Sequence, residues 1–333
     1  MQRSMVDHLF AIFDQSAELI EKEEDVSYLE ALCLTGENIF RETVSQKSLE
    51  NKLSGLYAHF FQEGMSAEDV RRSFQLAVLK GMKSSTQTQH QMTPDSVVIF
   101  IGYLVNRLLS SRQQFSILDP AAGTGNLLTG IMNQSHTDDI RGYGVEIDDL
   151  LIKLACTNAN LQQKDIEFFH QDSLRPMLVD PVDITVCDSP VGIYPDQKNA
   201  ETFKLGKVDS QSYSHFLMIE QGLKYTKQAG YLVYLIPNDL FIQDKNKVFH
   251  KFLYDEAVIL GLLQLPISLF QNEKHARSIL ILQKKGPHVV PPKQALLAEM
   301  PRFSNKEAMS KMMVKLNDWF QHHLEQHNEE SHQ

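Results

Sequence analysis

The sequence predicts an α/β protein in which an all-helical N-terminal domain precedes a sheet of seven strands, mostly parallel, with an antiparallel hairpin at one edge. Three observations predict this class. Apolar residues recur at helical spacing through about the first 80 residues, a polar segment without periodicity follows, and beyond it short β-rich runs alternate with amphipathic stretches. Such alternation favours parallel strands covered by helices on both faces of the sheet.

The N-terminal segment carries the spacing and the end signals of helices. Apolar residues at roughly helical spacing indicate the first helix, namely Leu9, Phe10, Ile12, Phe13, Leu19 and Ile20. A later helix begins at a capping box formed by Ser66 and Asp69, and Gly81 fits as its terminator. The polar run 84–89 is the best candidate for a linker. We therefore predict three segments, a helical domain over 1–88, an α/β domain over 89–300, and a C-terminal helix with a polar tail over 301–333.

The α/β domain contains seven runs with the composition of strands. They are Phe115–Leu118, Ile140–Val145, Ile166–Phe169, Ile184–Cys187, Tyr231–Ile236, Ala257–Leu265 and Ser278–Gln283. Helical candidates such as 150–161 and 213–226 lie between most of them. The last two runs are separated only by a loop containing Pro266 and Asn272, which indicates a hairpin at one edge of the sheet.

Charge and cysteine content narrow the classes of function. The formal charge is 32 − 42 = −10, so no global positive field would draw the chain onto nucleic acid or an anionic membrane, although a local basic groove remains compatible with nucleic acid. The three scattered cysteines form neither a disulfide framework nor a metal-binding pair. No apolar run approaches the ~20 residues that span a bilayer. We expect a cytoplasmic protein with no membrane association and no bound metal.

A glycine-rich turn follows the first predicted strand. The strand runs into Asp119-Pro120-Ala121-Ala122-Gly123-Thr124-Gly125-Asn126, and a helix begins after it. Glycines at such a turn let the backbone approach a ligand where a Cβ would block it. The second strand ends at Glu146, 146 − 123 = 23 residues beyond Gly123, where an acid can accept hydrogen bonds from both ribose hydroxyls. The pattern predicts a Rossmann-like sheet with an adenosine-containing ligand at the carboxyl ends of its strands.

Two residues favour S-adenosylmethionine (SAM) over a nicotinamide dinucleotide as that ligand. The dinucleotide fingerprint needs a third glycine where this chain has Leu128. Asp119 places a negative charge at the mouth of the turn, where it would repel a pyrophosphate but attract an ammonium group. SAM carries an ammonium and a sulfonium and no phosphate, so the turn favours SAM. A nicotinamide-dependent oxidoreductase is disfavoured by Leu128 and Asp119.

The motif 119–126 resembles the first SAM-binding motif of the N-6 adenine-specific DNA methylase family, and the chain is most similar to the modification subunits of type I restriction systems. Four further segments carry the likeness in the same order along the chain. They are Gln91-Met92-Thr93-Pro94, Gln171-Asp172-Ser173-Leu174, Gly230 to Asn238 and Leu265 to Phe270. The resemblance covers about residues 89 to 286, and it implies the SAM-dependent methyltransferase form of the Rossmann-like sheet.

The resemblance also implies which residues hold SAM. Thr93 and Pro94 would contact the amino-acid moiety and Asp119 its ammonium, while Glu146 would bind the ribose. Ile147 would pack on the adenine and Asp172 would hold the adenine amino group. The full cofactor-binding set implied by the motifs is Thr93, Pro94, Asp119, Ala121, Gly123, Gly125, Asn126, Glu146, Ile147, Asp172 and Ser173.

The catalytic signature of that family is [ND]-P-P-[FYW], and this chain has Asp188-Ser189-Pro190-Val191 in its place. The acid or amide and the next carbonyl accept both hydrogens of an adenine amino group, which directs the nitrogen lone pair toward the methyl group. Asp188 is an acid, as the first position of the signature allows. Ser189 replaces the first proline but still provides a backbone carbonyl, and Pro190 biases Ser189 toward an extended conformation. Val191 offers no aromatic face for a flipped base, and Tyr194 is the candidate to compensate. The predicted catalytic residues are therefore Asp188, Ser189, Pro190 and Tyr194.

Two functions remain open on the sequence. The first is a SAM-dependent N-methyltransferase acting by direct transfer on a nucleic-acid base, DNA before RNA, or alternatively on a protein amide. We expect no extra domain after residue 286, so DNA specificity would come from the N-terminal domain or a partner specificity subunit. The second is a SAM-binding regulatory or assembly module without catalysis, which Ser189 and Val191 keep open.

Cys187 is interpreted as a core residue, and the tail histidines His322, His323, His327 and His332 as a solvated segment.

Overall fold

A computed structural model of the chain describes residues 4–61, 63–84, 92–270 and 272–330, without the side chains of residues 84, 274 and 323–330. Part of the predicted linker, the domain boundary predicted at residue 88, and Gln91 lie outside the described residues. The helices are α1 Met5–Glu24, α2 Tyr28–Phe40, α3 Glu50–Tyr57, α4 Ala67–Ser84, α5 Asp95–Leu108, α6 Asn126–Asn133, α7 Asp149–Leu161, α8 Gln197–Ala200, α9 Ser214–Lys224, α10 Leu240–Gln243, α11 Val248–Glu256 and α12 Lys306–Glu330.

The strands form one sheet in the order β3-β2-β1-β4-β5-β7-β6-β8. They are β1 Phe115–Asp119, β2 Ile140–Glu146, β3 Ile166–His170, β4 Val182–Asp188, β5 Thr226–Pro237, β6 Ala257–Gln264, β7 Arg277–Lys284 and β8 Leu296–Glu299. β4 pairs in parallel with β1 and β5, and β7 pairs antiparallel with both β5 and β6. This is the mixed, mostly parallel α/β sheet that the sequence predicts.

The sheet has eight strands rather than the seven predicted from the sequence. The eighth, β8, pairs in parallel with β6, so the predicted hairpin of β6 and β7 is present but does not lie at the edge. The sequence does not indicate β8, because its four residues, Leu-Leu-Ala-Glu, are good helix formers. Pairing with a neighbouring strand, which is a tertiary contact, overrides that preference.

By its contacts the chain divides into two compact units, and the first comprises residues 1–102, 122–135 and 144–171. Its core joins apolar residues of α1 to α4 with Leu151, Leu154 and Leu161 of α7. The predicted capping box is confirmed, because Ser66 and Asp69 exchange side-chain to backbone hydrogen bonds of 3.1 Å. The prediction that Gly81 ends α4 is wrong, since the helix continues to Ser84 and Gly81 packs against Tyr28 and Leu29 instead.

The second unit comprises residues 103–121, 136–143 and 172–333. Its core is formed by β4, β5 and β7 together with α9 and α11, and includes fully buried Cys187, Phe216, Phe249 and Leu280. The strand β4 is buried along almost its whole length, as expected for a central parallel strand. A central buried strand holds its last residue, Asp188, at a fixed position on the carboxyl edge.

Candidate active site

Asp119 ends β1 and is almost completely buried. Its Oδ1 accepts a hydrogen bond of 3.0 Å from the backbone N–H of Ala121, which fixes the carboxylate against the start of the glycine-rich turn. A buried carboxylate is costly unless it is hydrogen-bonded or paired with a cation. The structure therefore places both Asp119 and Ala121 at the turn where the sequence predicted them.

The two glycines of the turn adopt left-handed backbone conformations. Gly123 has φ +54° and Gly125 has φ +70°, which residues with a Cβ rarely adopt. The space beside Gly123 is open, because no atom lies within 4 Å of the position that a Cβ would take. At Gly125 a Cβ would meet Ala155 of α7 at 3.3 Å. Gly123 thus presents bare backbone on the open side of the turn, while Gly125 lets α6 and α7 approach each other.

Glu146, at the end of β2, is held by three backbone amides. Its Oε2 accepts from Gly123 at 2.8 Å, and its Oε1 accepts from Ile147 at 2.8 Å and Asp148 at 2.9 Å. A carboxylate has about four lone-pair directions, so at least one stays available for a ligand hydroxyl. The residue that follows, Ile147, is 66% exposed, although it is a large aliphatic side chain beside a buried strand. The first unit therefore combines an oriented carboxylate, a glycine turn and an exposed apolar side chain.

The segment Thr93-Pro94 precedes α5 in the same unit. Thr93 is buried, and the carbonyl of Pro94 accepts from Val97 at 2.9 Å and Val98 at 3.0 Å, which opens the helix. Proline directly before a helix is preorganised for this role because its φ is fixed.

Arg71 of α4, which the sequence analysis did not single out, connects this segment with the glycine turn. Its guanidinium is fully buried and donates to Asp95 and to Glu68, and its Nη1 donates to Oδ1 of Asn126 at 2.7 Å. Burial alone would lower the pKa of Arg71, but hydrogen bonds and charges of Glu68 and Asp95 outweigh it and raise that pKa. Asn126 is the first residue of α6, so the cation fixes the end of the turn.

The predicted adenine-binding residues Asp172 and Ser173 lie in the second unit. Oδ1 of Asp172 accepts the amide of Leu174 at 2.9 Å, and its Oδ2 accepts the hydroxyl of Tyr194. Burial and this hydrogen bond raise the pKa of Tyr194 to about 12. The ring of Tyr194 is only 7% exposed, and Asn199 donates to its oxygen at 3.1 Å. Tyr194 is thereby bound to Asp172, and its ring does not present a face to solvent.

Asp188 ends β4, and the segment after it is held against β5. The amide of Ser189 donates to the carbonyl of Leu235 at 3.1 Å, so Ser189 continues the parallel pairing, and it is buried. Pro190 is exposed, and Val191 and Ile193 are 56% and 57% exposed. The structure thus brings Asp188, Ser189 and Pro190 together at one strand end, next to an exposed apolar loop.

Sequence reasoning also missed two residues near this strand end. Arg277, the first residue of β7, donates from Nη1 to the carbonyl of Ser189 at 3.3 Å. His215 of α9 is buried and bonded through Nε2 to Gln243 at 3.0 Å. Arg277 carried no distinctive signal, because polar residues stand at both ends of its strand. His215 carried none either, since its burial depends on the packing of α9.

The described part of the chain contains neither a membrane-spanning helix nor a cluster of metal-binding side chains. No described helix has the length and apolar content needed to cross a membrane. No group of three or more His, Cys, Asp or Glu side chains among the described residues is arranged to hold a metal ion.

Comparisons with known proteins agree with the fold. The profile of the N-6 DNA Methylase family matches residues 81–332, and that of the YtxK N-terminal helical domain matches residues 7–82. In its fold, the chain belongs to the class of SAM-dependent methyltransferases. Within that class, the chain belongs to the N-6 DNA methylase family.

Two relatives resemble the chain over nearly its whole length. The uncharacterized protein YtxK of Bacillus subtilis (strain 168) is 44% identical, covering 96% of this chain and 99% of its own. The structure of a provisionally assigned class I SAM-dependent methyltransferase from Listeria monocytogenes is 41% identical, with a TM-score of 0.88, covering 95% of this chain and 99% of its own. The methyltransferase subunit of a type I restriction-modification system from Streptococcus thermophilus shares the fold, with 13% identity, a TM-score of 0.62, and coverage of 92% of this chain and 74% of its own.

Proposed function

We propose that the protein is a SAM-dependent N-methyltransferase whose acceptor is an amino group of a nucleic-acid base, DNA before RNA. The observation that carries the proposal is the carboxylate of Glu146, held by the amides of Gly123, Ile147 and Asp148 at the tip of β2. An acid in that position is suited to accept hydrogen bonds from ribose hydroxyls.

The adenosine part of SAM fits the residues of the first unit. The carboxylate of Glu146 is already oriented, so it loses little conformational entropy when it binds a ribose hydroxyl. Ile147 offers the exposed aliphatic surface on which an adenine ring would pack. The open side of Gly123 leaves backbone accessible where a Cβ would stand. In the second unit, Asp172 and Ser173 are proposed to recognise the adenine edge, with Tyr194 positioning Asp172.

The amino-acid part of SAM calls for an anionic partner. Asp119 supplies one, fixed by the amide of Ala121, and we propose that it holds the ammonium while Thr93 and Pro94 contact the same moiety. When bound, SAM supplies an electrophilic methyl group on a sulfonium. The residues Gly125 and Asn126 shape the turn, and Arg71 holds Asn126 in place.

The acceptor side relies on Asp188 and the carbonyl of Ser189. Both are hydrogen-bond acceptors, and the pairing of Ser189 with β5 keeps that carbonyl at a fixed position. Two such acceptors can take the two hydrogens of an amino group and orient its lone pair, an effect of positioning and charge stabilisation. Pro190 restricts Ser189 to an extended conformation.

Transfer of labelled methyl from SAM into unmethylated DNA, RNA and protein tests the proposal. Asp188→Ala should abolish incorporation and leave SAM affinity within about twofold, because Asp188 acts on the acceptor. Asp119→Asn, which keeps an oxygen for the Ala121 amide but removes the charge, should weaken SAM binding about tenfold or more. Asp255→Asn on the exposed surface of α11 is the matched control and should change neither. Label in protein alone, or label that survives Asp188→Ala, would contradict the proposal.

A second function is favoured by two features of the segment that follows Asp188. Val191 has no aromatic face, and the ring of Tyr194 is buried against Asp172, so neither side chain is presented for stacking on a flipped base. A SAM-binding regulatory or assembly module without catalysis would tolerate both features. SAM binding that depends on Asp119, without incorporation into any fraction, would favour this second function.

A further inference from the structure

Arg277 places a positive charge beside Ser189, in the segment 188–190 that is proposed to bind the acceptor amino group. It is paired in register with Pro237, the last residue of β5, and its Nη1 donates to the carbonyl of Ser189 at 3.3 Å. The side chain is half-buried. A guanidinium has five N–H donors, so this single bond orients the group and leaves most of its donors unused.

Within the described ranges, no carboxylate oxygen lies at ion-pair distance, 4.0 Å or less, from the Arg277 guanidinium. His215, whose electrostatics Arg277 influences, is not a negative partner either. Its pKa is lowered to about 4 by burial, against the hydrogen bond to Gln243 and the charge of Asp239, so it is neutral near pH 7. A half-buried guanidinium that forms no ion pair with the described residues is suited to bind an anion from outside the chain.

Ser189 adds unmet hydrogen-bonding capacity at the same place. Its hydroxyl is buried and has no hydrogen-bond partner among the described residues. Buried hydroxyls are normally bonded, so an unpartnered one indicates a site that takes a polar ligand. Val191 and Ile193, which follow directly, are exposed to solvent.

We infer that Arg277 binds a phosphate group of the methyl acceptor, next to the carbonyl of Ser189. The inference rests on the proposed function, in which the acceptor is a base of a nucleic acid. A base turned out of its strand brings its own backbone phosphates to the rim of the pocket, and the planar guanidinium matches phosphate oxygens in pairs. Because the chain has a net charge of −10, a local cation is needed to retain a polyanion at this edge.

The test is binding of a fluorescein-labelled, mixed-sequence single-stranded oligodeoxynucleotide to the full chain, followed by fluorescence anisotropy over a series of salt concentrations. Arg277→Gln should weaken binding about tenfold and make the slope of log K against log salt shallower by about 0.7, the contribution of one phosphate contact on a single strand. Arg277→Lys should keep most of the slope and lose part of the affinity. Lysine retains the charge but lacks the planar guanidinium that can bond two phosphate oxygens at once. Arg112→Gln, an exposed arginine just before β1, is the matched control and should bind like the unmodified chain.

SAM affinity and thermal unfolding are measured on the same variants, and both should match the unmodified chain, which confirms that Arg277→Gln is folded. Equal oligonucleotide binding by Arg277→Gln and the unmodified chain overturns the inference, and so does an unmodified chain that binds no oligonucleotide. Competition by poly-glutamate as effective as by DNA also overturns it, since the site would then favour carboxylates. Binding that depends on Arg277 without methyl incorporation would leave this inference standing and defeat only the proposed catalysis.

Discussion

Among the buried side chains, His215 is the one whose protonation should lower the free energy of unfolding most in mildly acidic solution. It is 1% exposed, stacks on Tyr213 with ring centroids 5.3 Å apart, and has its Nδ1 without a partner among the described residues. Protonation would add a second positive charge near Arg277 in a site with little water. Burial therefore lowers the pKa of His215 to about 4, from 6.5 in the unfolded chain.

The direction of the pH effect follows from where the proton binds. Between pH 6.5 and about 4 the unfolded chain takes up a proton at His215 and the folded chain does not, so the free energy of unfolding falls as pH falls. Over that window the loss is about 3 kcal/mol, and above pH 6.5 the contribution is constant. The measurement is urea unfolding at several pH values, compared with His215→Phe. The variant should lose clearly less stability between pH 6.5 and 4, and parallel curves would refute the assignment.

Tyr194 has surroundings in the structure that differ from those expected from the sequence. Its place after the catalytic motif favoured an aromatic surface for a base. In the structure its ring is buried and its hydroxyl donates to Asp172. Tyr194 is thus better suited to orient Asp172, the acid proposed to bind adenine, than to stack on an acceptor base.

At the scale of helices, Gly81 of α4 is needed for packing against α2, although in the sequence it looks like the end of a helix. A Cβ at Gly81 would lie 2.5 Å from Cδ2 of Leu29 and 2.7 Å from Cδ1 of Tyr28, both on α2. Glycine permits α2 and α4 to approach more closely than any other residue would allow. Its cost in helix propensity, about 1 kcal/mol relative to alanine, is offset by the contact between the helices.

Two glycine-to-alanine substitutions should therefore change stability in opposite directions. Gly81→Ala should lower the free energy of unfolding by about 1 to 3 kcal/mol, because overpacking outweighs the gain in propensity. Gly55→Ala in α3, where no atom lies within 4 Å of the new Cβ, should raise it by up to about 1 kcal/mol. Chemical denaturation of both variants measures the difference, and a stabilising Gly81→Ala would show that the helices can move apart without cost.

At the scale of the whole molecule, Arg71 links the N-terminal helices to the glycine-rich turn. Its guanidinium joins Glu68 of α4, Asp95 at the start of α5 and Asn126 at the start of α6. All these groups belong to the first unit, whose core includes apolar residues of α7 as well as of α1 to α4. The helical region is therefore part of the structure that shapes the turn.

Loss of this cation should affect both folding and the proposed cofactor affinity. Arg71→Met should lower the free energy of unfolding by about 2 to 4 kcal/mol, less than for a wholly buried pair because Glu68 and Asp95 reach solvent. SAM affinity should fall as well, since Asn126 loses its partner. Arg41→Met, which removes an exposed ion pair with Glu37, is the control and should cost at most about 1 kcal/mol. If SAM affinity were unchanged in folded Arg71→Met, the link to the turn would be disproved.

The sequence by itself determined the class of fold and the elements that carry the motifs. Periodicity and end signals depend on neighbouring residues along the chain, so the seven main strands and the capping box at Ser66 could be predicted from local pattern alone. The glycine turn, Asp119, Glu146 and Asp188 are separated by fixed chain spacings, and their order gave the family. That much is local information.

Only the tertiary structure decided the rest, because it depends on which distant residues meet. β8 exists through its pairing with β6, although its own residues favour a helix. Arg71 and Arg277 read in the sequence as ordinary charged residues, and only packing buries one in the first unit and places the other against Ser189. The hydroxyl of Tyr194 meets Asp172 across 22 residues of chain, a contact that no spacing rule contains. Burial and charge balance are set by such long-range contacts, and local sequence does not specify them.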